Sequence, residues 1–301
     1  MPTDRRLTTL ATLGLLALTA VWGSTFVLIK DVVGRMPVAD FLAVRFVIAA
    51  LAMLALFGRR TARLAPRQLA QGLALGVVYG IAQLLQTWGL SLIAPSVSGF
   101  VTGMYVVFTP ILAWLLLRQR PPAIVWLAVS LATAGLALLS LHGWSVGTGV
   151  WLTLASAALY GLHIVGLGRW SRAEQAPGMS TVQMVAIACV CLLATVPHGP
   201  SLPPDGRAWL ALLYMALVAG AGAMLVQTWA QAHLPPARAA IVMTTEPVFA
   251  AGFAVALGSD VLGWRMLVGG ALVLAAMYLV ELLPRRADAP ALPAEAIHHE
   301  I

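Results

Sequence analysis

The sequence predicts an all-α integral membrane protein whose ten transmembrane helices form two inverted five-helix repeats. Three observations predict it. Of 301 residues, 60% are hydrophobic and only 10% charged, at a mean hydropathy of +0.90. Soluble globular chains run about 25% charged, so too few polar residues are present to coat a water-facing surface. That excludes a soluble enzyme, a nucleic-acid-binding domain and a disordered chain. Apolar runs of the roughly 20 residues that a bilayer core requires recur along the whole length. Closed barrels alternate polar with apolar residues, whereas the run Ile48 to Phe57 is continuous Ala, Leu, Met and Phe. The third observation is that the chain repeats itself.

The spans follow in order. The first, 8–29, lies in an apolar run from Leu7 to Ile29, too long for the core of a cleavable signal peptide, and more spans follow it. The second, 39–57, is stopped by Arg59, Arg60, Arg63 and Arg67. In the third, 68–90, Gly72, Gly76 and Gly80 recur every four residues, a small-residue stripe for close packing. Pro95 opens the fourth, 95–117, and Pro121 and Pro122 the fifth, 122–141, where a missing N–H costs nothing. The sixth, 147–168, carries His163. The seventh, 178–196, carries Cys189 and Cys191, which point about 200° apart on a helix and cannot bridge each other. In the eighth, 208–232, small residues run from Ala216 through Gly220 to Ala223. Pro235 and Pro236 open the ninth, 236–257, and the tenth, 262–283, gives way to a Pro- and charge-rich tail expected to be disordered.

With these spans, 13 of the 18 Lys and Arg residues fall on the side of the N-terminus, 4 on the other, and Arg45 stays inside the second span. The positive-inside rule then puts both termini in the cytoplasm of a multi-pass protein in the cytoplasmic membrane.

Shifted by 141 residues, Gln86-Thr87-Trp88 falls on Gln227-Thr228-Trp229, Val107-Phe108 on Val248-Phe249 and Leu131 on Leu272. Nearer the start of each half the better offset is 138, which lays Gly23 on Gly161, Trp22 on Tyr160 and Arg45 on Gln183. The expected units are 1–145 and 146–283, with a cytoplasmic tail at 284–301. Five spans are an odd number, so the second unit enters the bilayer inverted, the architecture that lets secondary transporters expose one site to either side.

Ionisable groups deep in a span are costly and mark function by default. Glu246 lies about eleven residues into the ninth span, and Pro247 after it is expected to kink the helix and free the carbonyl of Met243. Its carboxyl can bind a substrate ammonium or a proton, or bond a neighbouring helix. Its counterpart is Tyr105. Arg45 can meet an anionic substrate group or pair with Asp40 or Asp31. His163 titrates near neutrality when unperturbed, but interior hydrogen bonding is its commoner use. Trp22, Tyr79 and Tyr160 can line a cavity, while Trp88 and Trp229 suit an interface belt. Gln86 and Gln227 can bond a ligand or each other. No phosphate loop or HExxH motif occurs, so no cofactor, metal or enzymatic activity is expected.

Trp22-Gly23-Ser24-Thr25-Phe26, Arg45-Phe46 and Glu246-Pro247-Val248-Phe249 resemble the EamA family of the drug/metabolite transporter superfamily. The resemblance covers nearly the whole chain. It implies a secondary carrier exporting amino acids or related small metabolites, coupled to protons, through a central cavity built from both halves. The acidic residue common in the family after the fourth and ninth spans is here Gln119 and Asp260. The expected partners are a small-molecule substrate, protons as coupling ion and the lipid bilayer, with no nucleic acid, in a monomer or homodimer. The alternatives are an integral-membrane enzyme, a channel, or a carrier of a drug, nucleotide or sugar derivative.

Overall fold

Lipid offers no partner for a backbone N–H or C=O, so each span must close its own hydrogen bonds as a helix. In the computed structural model, the described residues are 5–117, 123–142, 145–170, 173–197, 199, 201–233, 242–243 and 245–281. They form ten helical segments: α1 (Arg5–Val33), α2 (Val38–Thr61), α3 (Pro66–Leu92), α4 (two pieces, Pro95–Gly103 and Tyr105–Leu117) and α5 (Ala123–Ser140). Then come α6 (Thr148–Trp170), α7 (Ala176–Leu193), α8 (Gly206–Leu213, Tyr214–Gly222 and Ala223–His233, end to end), α9 (Glu246–Ala256) and α10 (Trp264–Glu281). Seven are long and apolar enough to cross a membrane; α5, α9 and α10 supply the shorter apolar stretches Trp126–Leu139, Glu246–Ala256 and Trp264–Leu279. A two-residue antiparallel ribbon, Leu141–His142 with Ser145–Val146, leads from α5 to α6. The tail expected at 284–301 and the start of the ninth span at 236 lie outside the described residues.

Helix ends follow local chemistry. Proline occupies the first turn of α3, α4, α7 and α9, where no partner exists for the missing N–H. Asp205 caps α8 by accepting from the Ala208 backbone N–H at 2.8 Å. Just beyond α9, Gly258 turns the chain at φ +72°, a left-handed conformation that a side chain would strain.

The helices pack mainly across the two halves of the sequence. α3 lies against α6 and α7, α2 against α7 and α8, α1 against α8 and α9, α4 against α6 and α9, and α5 against α10. Exchanging each helix for the one five places away returns the same set of pairs. The register agrees at atomic level. A Cβ on Gly23 would stand 2.6 Å from the Phe249 Cβ, and one on the counterpart Gly161 would stand 3.2 Å from the Phe108 Cβ. Likewise Gly89 sits tightly against Gly149 and Thr153, and their counterparts Ala230, Ala11 and Leu15 form a buried cluster of their own.

The same correspondence governs a break in α4 and the start of α9. The Met104 N–H donates to Val101 O at 3.1 Å, and those of Val107 and Phe108 to Met104 O at 2.9 and 3.0 Å. Moved 141 residues on, the Thr245 N–H donates to Val242 O at 3.2 Å, and those of Val248 and Phe249 to Thr245 O, both at 3.1 Å. Each pattern is one tightened turn of the 3₁₀ kind. Glu246 opens a helical piece with Pro247 in its first turn, directly after the turn at Thr245 that follows helical Val242 and Met243. Tyr105 opens the second piece of α4 in the same way.

A polar and aromatic site between the halves

Tyr79, midway along α3, stands at the join of the two large hydrophobic clusters and packs against both. Its ring meets that of Tyr160 at 5.1 Å and that of His163 at 5.0 Å between centroids, each at 64°. These are edge-on arrangements of the favoured kind. Tyr160 and His163 are three residues apart on α6, so one face of that helix presents both.

Amides fix this group from behind. Gln86 donates from Nε2 to Thr102 Oγ1 at 3.0 Å, which leaves its Oε1 to accept from the Tyr160 hydroxyl at 2.9 Å. Gln183 donates from Nε2 to Met179 O at 3.3 Å and meets His163 Nε2 through Oε1 at 2.7 Å. With the amide so oriented, His163 must donate from Nε2, and in the neutral ring Nδ1 is the bare acceptor. Gln83 Nε2 reaches the Tyr79 hydroxyl at a long 3.4 Å. Buried amides and phenols without such partners would each cost energy in a low-dielectric interior.

Two ionisable groups lie buried near the rings. Arg45 on α2 is 5% exposed and Glu246 at the head of α9 is 8% exposed. Arg45 donates from Nε to Met215 O at 3.3 Å, with its guanidinium carbon 5.1 Å from the Phe46 ring centroid and 6.0 Å from that of Phe41. Among the described residues Arg45 makes no ion pair, and Glu246 makes neither an ion pair nor a hydrogen bond. The partners foreseen for Arg45 are engaged elsewhere. Asp40 accepts from the Ser201 N–H at 3.1 Å and from its hydroxyl, and Asp31 pairs with Arg35 at 2.7 Å. Arg45 and Glu246 both act electrostatically on the Tyr79 and Tyr160 hydroxyls. A guanidinium and a carboxyl thus lie buried near one aromatic group without pairing with each other, a costly arrangement unless a ligand completes it.

Of the residues singled out from sequence, Tyr79, Tyr160 and His163 are in direct contact, with Arg45 and Glu246 within electrostatic reach. Tyr105 packs in the same cluster as Tyr160. Trp22 stands on α8, its Nε1 donating to Ala219 O at 3.0 Å. Gln86 bonds Tyr160 and Thr102 rather than Gln227. Trp88 and Trp229 are 40% and 41% exposed. Sequence reasoning gave no role to Gln83, Gln183 or Thr102. Only Gln183 carried a signal, as the counterpart of Arg45.

The model of the EamA-like transporter family matches residues 9–141 and matches again over 147–282. The chain belongs to the EamA-like transporter family. It is thereby a member of the drug/metabolite transporter superfamily and a multi-pass membrane transporter. This EamA-like chain is 29% identical over 273 residues to an uncharacterized transporter of Archaeoglobus fulgidus, covering 90% of this chain and 86% of that one. It shares its fold with a crystal structure of a protein at TM-score 0.64 and 21% identity, over 95% of this chain and all of the other. The EamA-like family and this relative point to transport rather than catalysis.

Proposed function

We propose that the protein is a secondary transporter that exports a small organic metabolite, an amino acid or related compound, across the cytoplasmic membrane by alternating access. The observation that carries this reading is the pair Arg45 and Glu246, both buried, of opposite charge type and without ionic partners among the described residues, beside the group of Tyr79, Tyr160 and His163. A zwitterion supplies both missing partners, its carboxylate to Arg45 and its ammonium to Glu246. Trp22 and Tyr105 complete the wall. The units 1–145 and 146–283 act as the inverted repeats and both termini are cytoplasmic; the matched breaks at Met104 and Thr245 support this reading, since carriers use discontinuous helices at their sites.

Protons couple through Glu246. In proteoliposomes preloaded with an unlabelled amino acid, uptake of the labelled form should saturate and show counterflow. A non-saturating leak would indicate a channel, and chemical conversion of the compound an enzyme. Glu246→Gln should abolish uptake driven by a pH gradient yet preserve exchange between two substrate pools. Arg45→Gln should raise KM about 10- to 100-fold, the range for a lost charge-assisted hydrogen bond. Unchanged kinetics in both variants would remove these residues from the site.

A further inference from the structure

Within α8, the nine residues Tyr214–Gly222 form a π-helix, with hydrogen bonds spaced i to i+5. Small residues make room for it. A Cβ on Gly220 would stand 3.2 Å from Met215 O, and one on Gly222 3.0 Å from Leu217 O, each the carbonyl five residues back. Three members of the segment hold residues on α1 and α2. The Tyr214 hydroxyl bonds Ser24 Oγ at 3.0 Å, Met215 O accepts from Arg45 Nε, and Ala219 O accepts from Trp22 Nε1. Met215 and Ala219 are four apart, which in this widened helix puts both carbonyls on nearly one face.

The corresponding helix α3 is α-helical throughout Pro66–Leu92, and its partner residues differ accordingly. Gln183, the counterpart of Arg45, donates to Met179 on its own helix. Tyr160, the counterpart of Trp22, donates to a side chain, Gln86. The π turn occurs in the half that holds a guanidinium and an indole of neighbouring helices by main-chain carbonyls. An α-helical carbonyl takes a second bond from a side chain on its own helix, as Met179 O does from Gln183; in the looser turn of α8, Met215 O and Ala219 O accept from donors on neighbouring helices.

We propose that the π turn of α8 is the positioning element of the site and that Gly220 is the positioning residue that permits it. It holds Arg45 by Nε, leaving the Nη edge of the guanidinium for a carboxylate on the ligand. The ligand half of this statement rests on the proposed transport reading; the positioning half does not.

Deleting Val218, 47% exposed on the outer surface, removes no residue of the site and restores i to i+4 bonding. The full chain, labelled with ¹⁵Nε-arginine in lipid nanodiscs, reads out the effect, the Arg45 signal being the one lost in Arg45→Lys. In the unaltered protein its Nε–H should exchange with water at least about tenfold more slowly than those of the exposed Arg59 and Arg60. Titration with acetate as carboxylate probe should shift it saturably. In the deletion its exchange should rise to the rate of the exposed arginines, with acetate affinity down about tenfold. If the deletion does not fold, Gly220→Ala, whose methyl presses on Met215 O, should speed exchange at least about threefold. Unchanged Arg45 exchange in a folded deletion or in Gly220→Ala overturns the positioning role, whatever the transport assay shows. Intact positioning effects without transport would instead overturn the transport reading alone.

Discussion

Tyr160 is where the polar core converges: it donates to Gln86, leans on Tyr79 and packs beside Tyr105. Interhelical hydrogen bonds in membranes average about 0.6 kcal/mol, while truncating a buried ring costs about 3–5 kcal/mol. Tyr160→Phe should therefore lower stability in detergent only slightly and Tyr160→Ala severely, as thermal unfolding will measure. Sequence exposed the residues whose burial is expensive. Glu246, Arg45 and His163 are conspicuous in an apolar run because an ionisable group there demands a reason. Gln83, Gln183 and Thr102 demand much less, and only their partners in space give them a role. Pro247 stands out too, and it lies in the first turn of α9, just after the turn at Thr245.

Among the elements, α3 and α7 meet along the glycine stripe: Gly72 lies on Val182, Gly76 on Ala186 and Gln183, and Gly80 on Val190 and Ile187. A Cβ on Gly76 would stand 2.6 Å from both the Ala186 Cβ and Gln183 O, so Gly76→Ala should push the helices apart and cost about 1–3 kcal/mol. It should also loosen His163, which Gln183 holds. The end of α3 is gripped by Lys30, whose Nζ donates to Leu90, Ser91 and Ile93 carbonyls at 2.9, 2.8 and 2.9 Å. At the start of α8, the Asp205 carboxyl is held below the usual aspartate range, first by the Ala208 N–H and further by Arg35. A depressed value stabilises the folded state above the unfolded aspartate pKa of about 3.9, and that gain is lost as pH falls through the folded value. Asp205→Asn should lower the unfolding temperature at about pH 7 and have little effect near about pH 2. Helix number and most ends were legible because proline, arginine and span length mark them; the expected start of the ninth span at Pro235 and Pro236 lies outside the described residues. The π turn was not, since a one-residue change of register leaves no trace in a uniformly apolar helix.

For the molecule as a whole, the pairing of helices predicts sidedness. In a background lacking Cys189 and Cys191, single cysteines replacing Gly147 and Gly199 should react with an impermeant maleimide from one side of the membrane. Those replacing Ala65 and Glu174 should react from the other; all four positions are exposed. Gly147 and Gly199 reacting from opposite sides would end the repeat reading. The two offsets were legible because Gln-Thr-Trp is too polar to recur by chance in apolar helices, and the matched contacts of Gly23 and Gly161 agree with them. How tightly the halves interleave was not legible, because apolar helices offer no sequence code for which neighbours they choose. Under the alternating-access reading proposed above, a body whose helix pairs survive exchange of its halves has no intrinsic favourite between an outward and an inward opening. Any resting preference must come from positions whose counterparts differ, such as Lys30 against Gly168, Arg45 against Gln183 and Glu246 against Tyr105. Swapping the members of one such couple is the smallest edit that would tilt the empty carrier toward its other door.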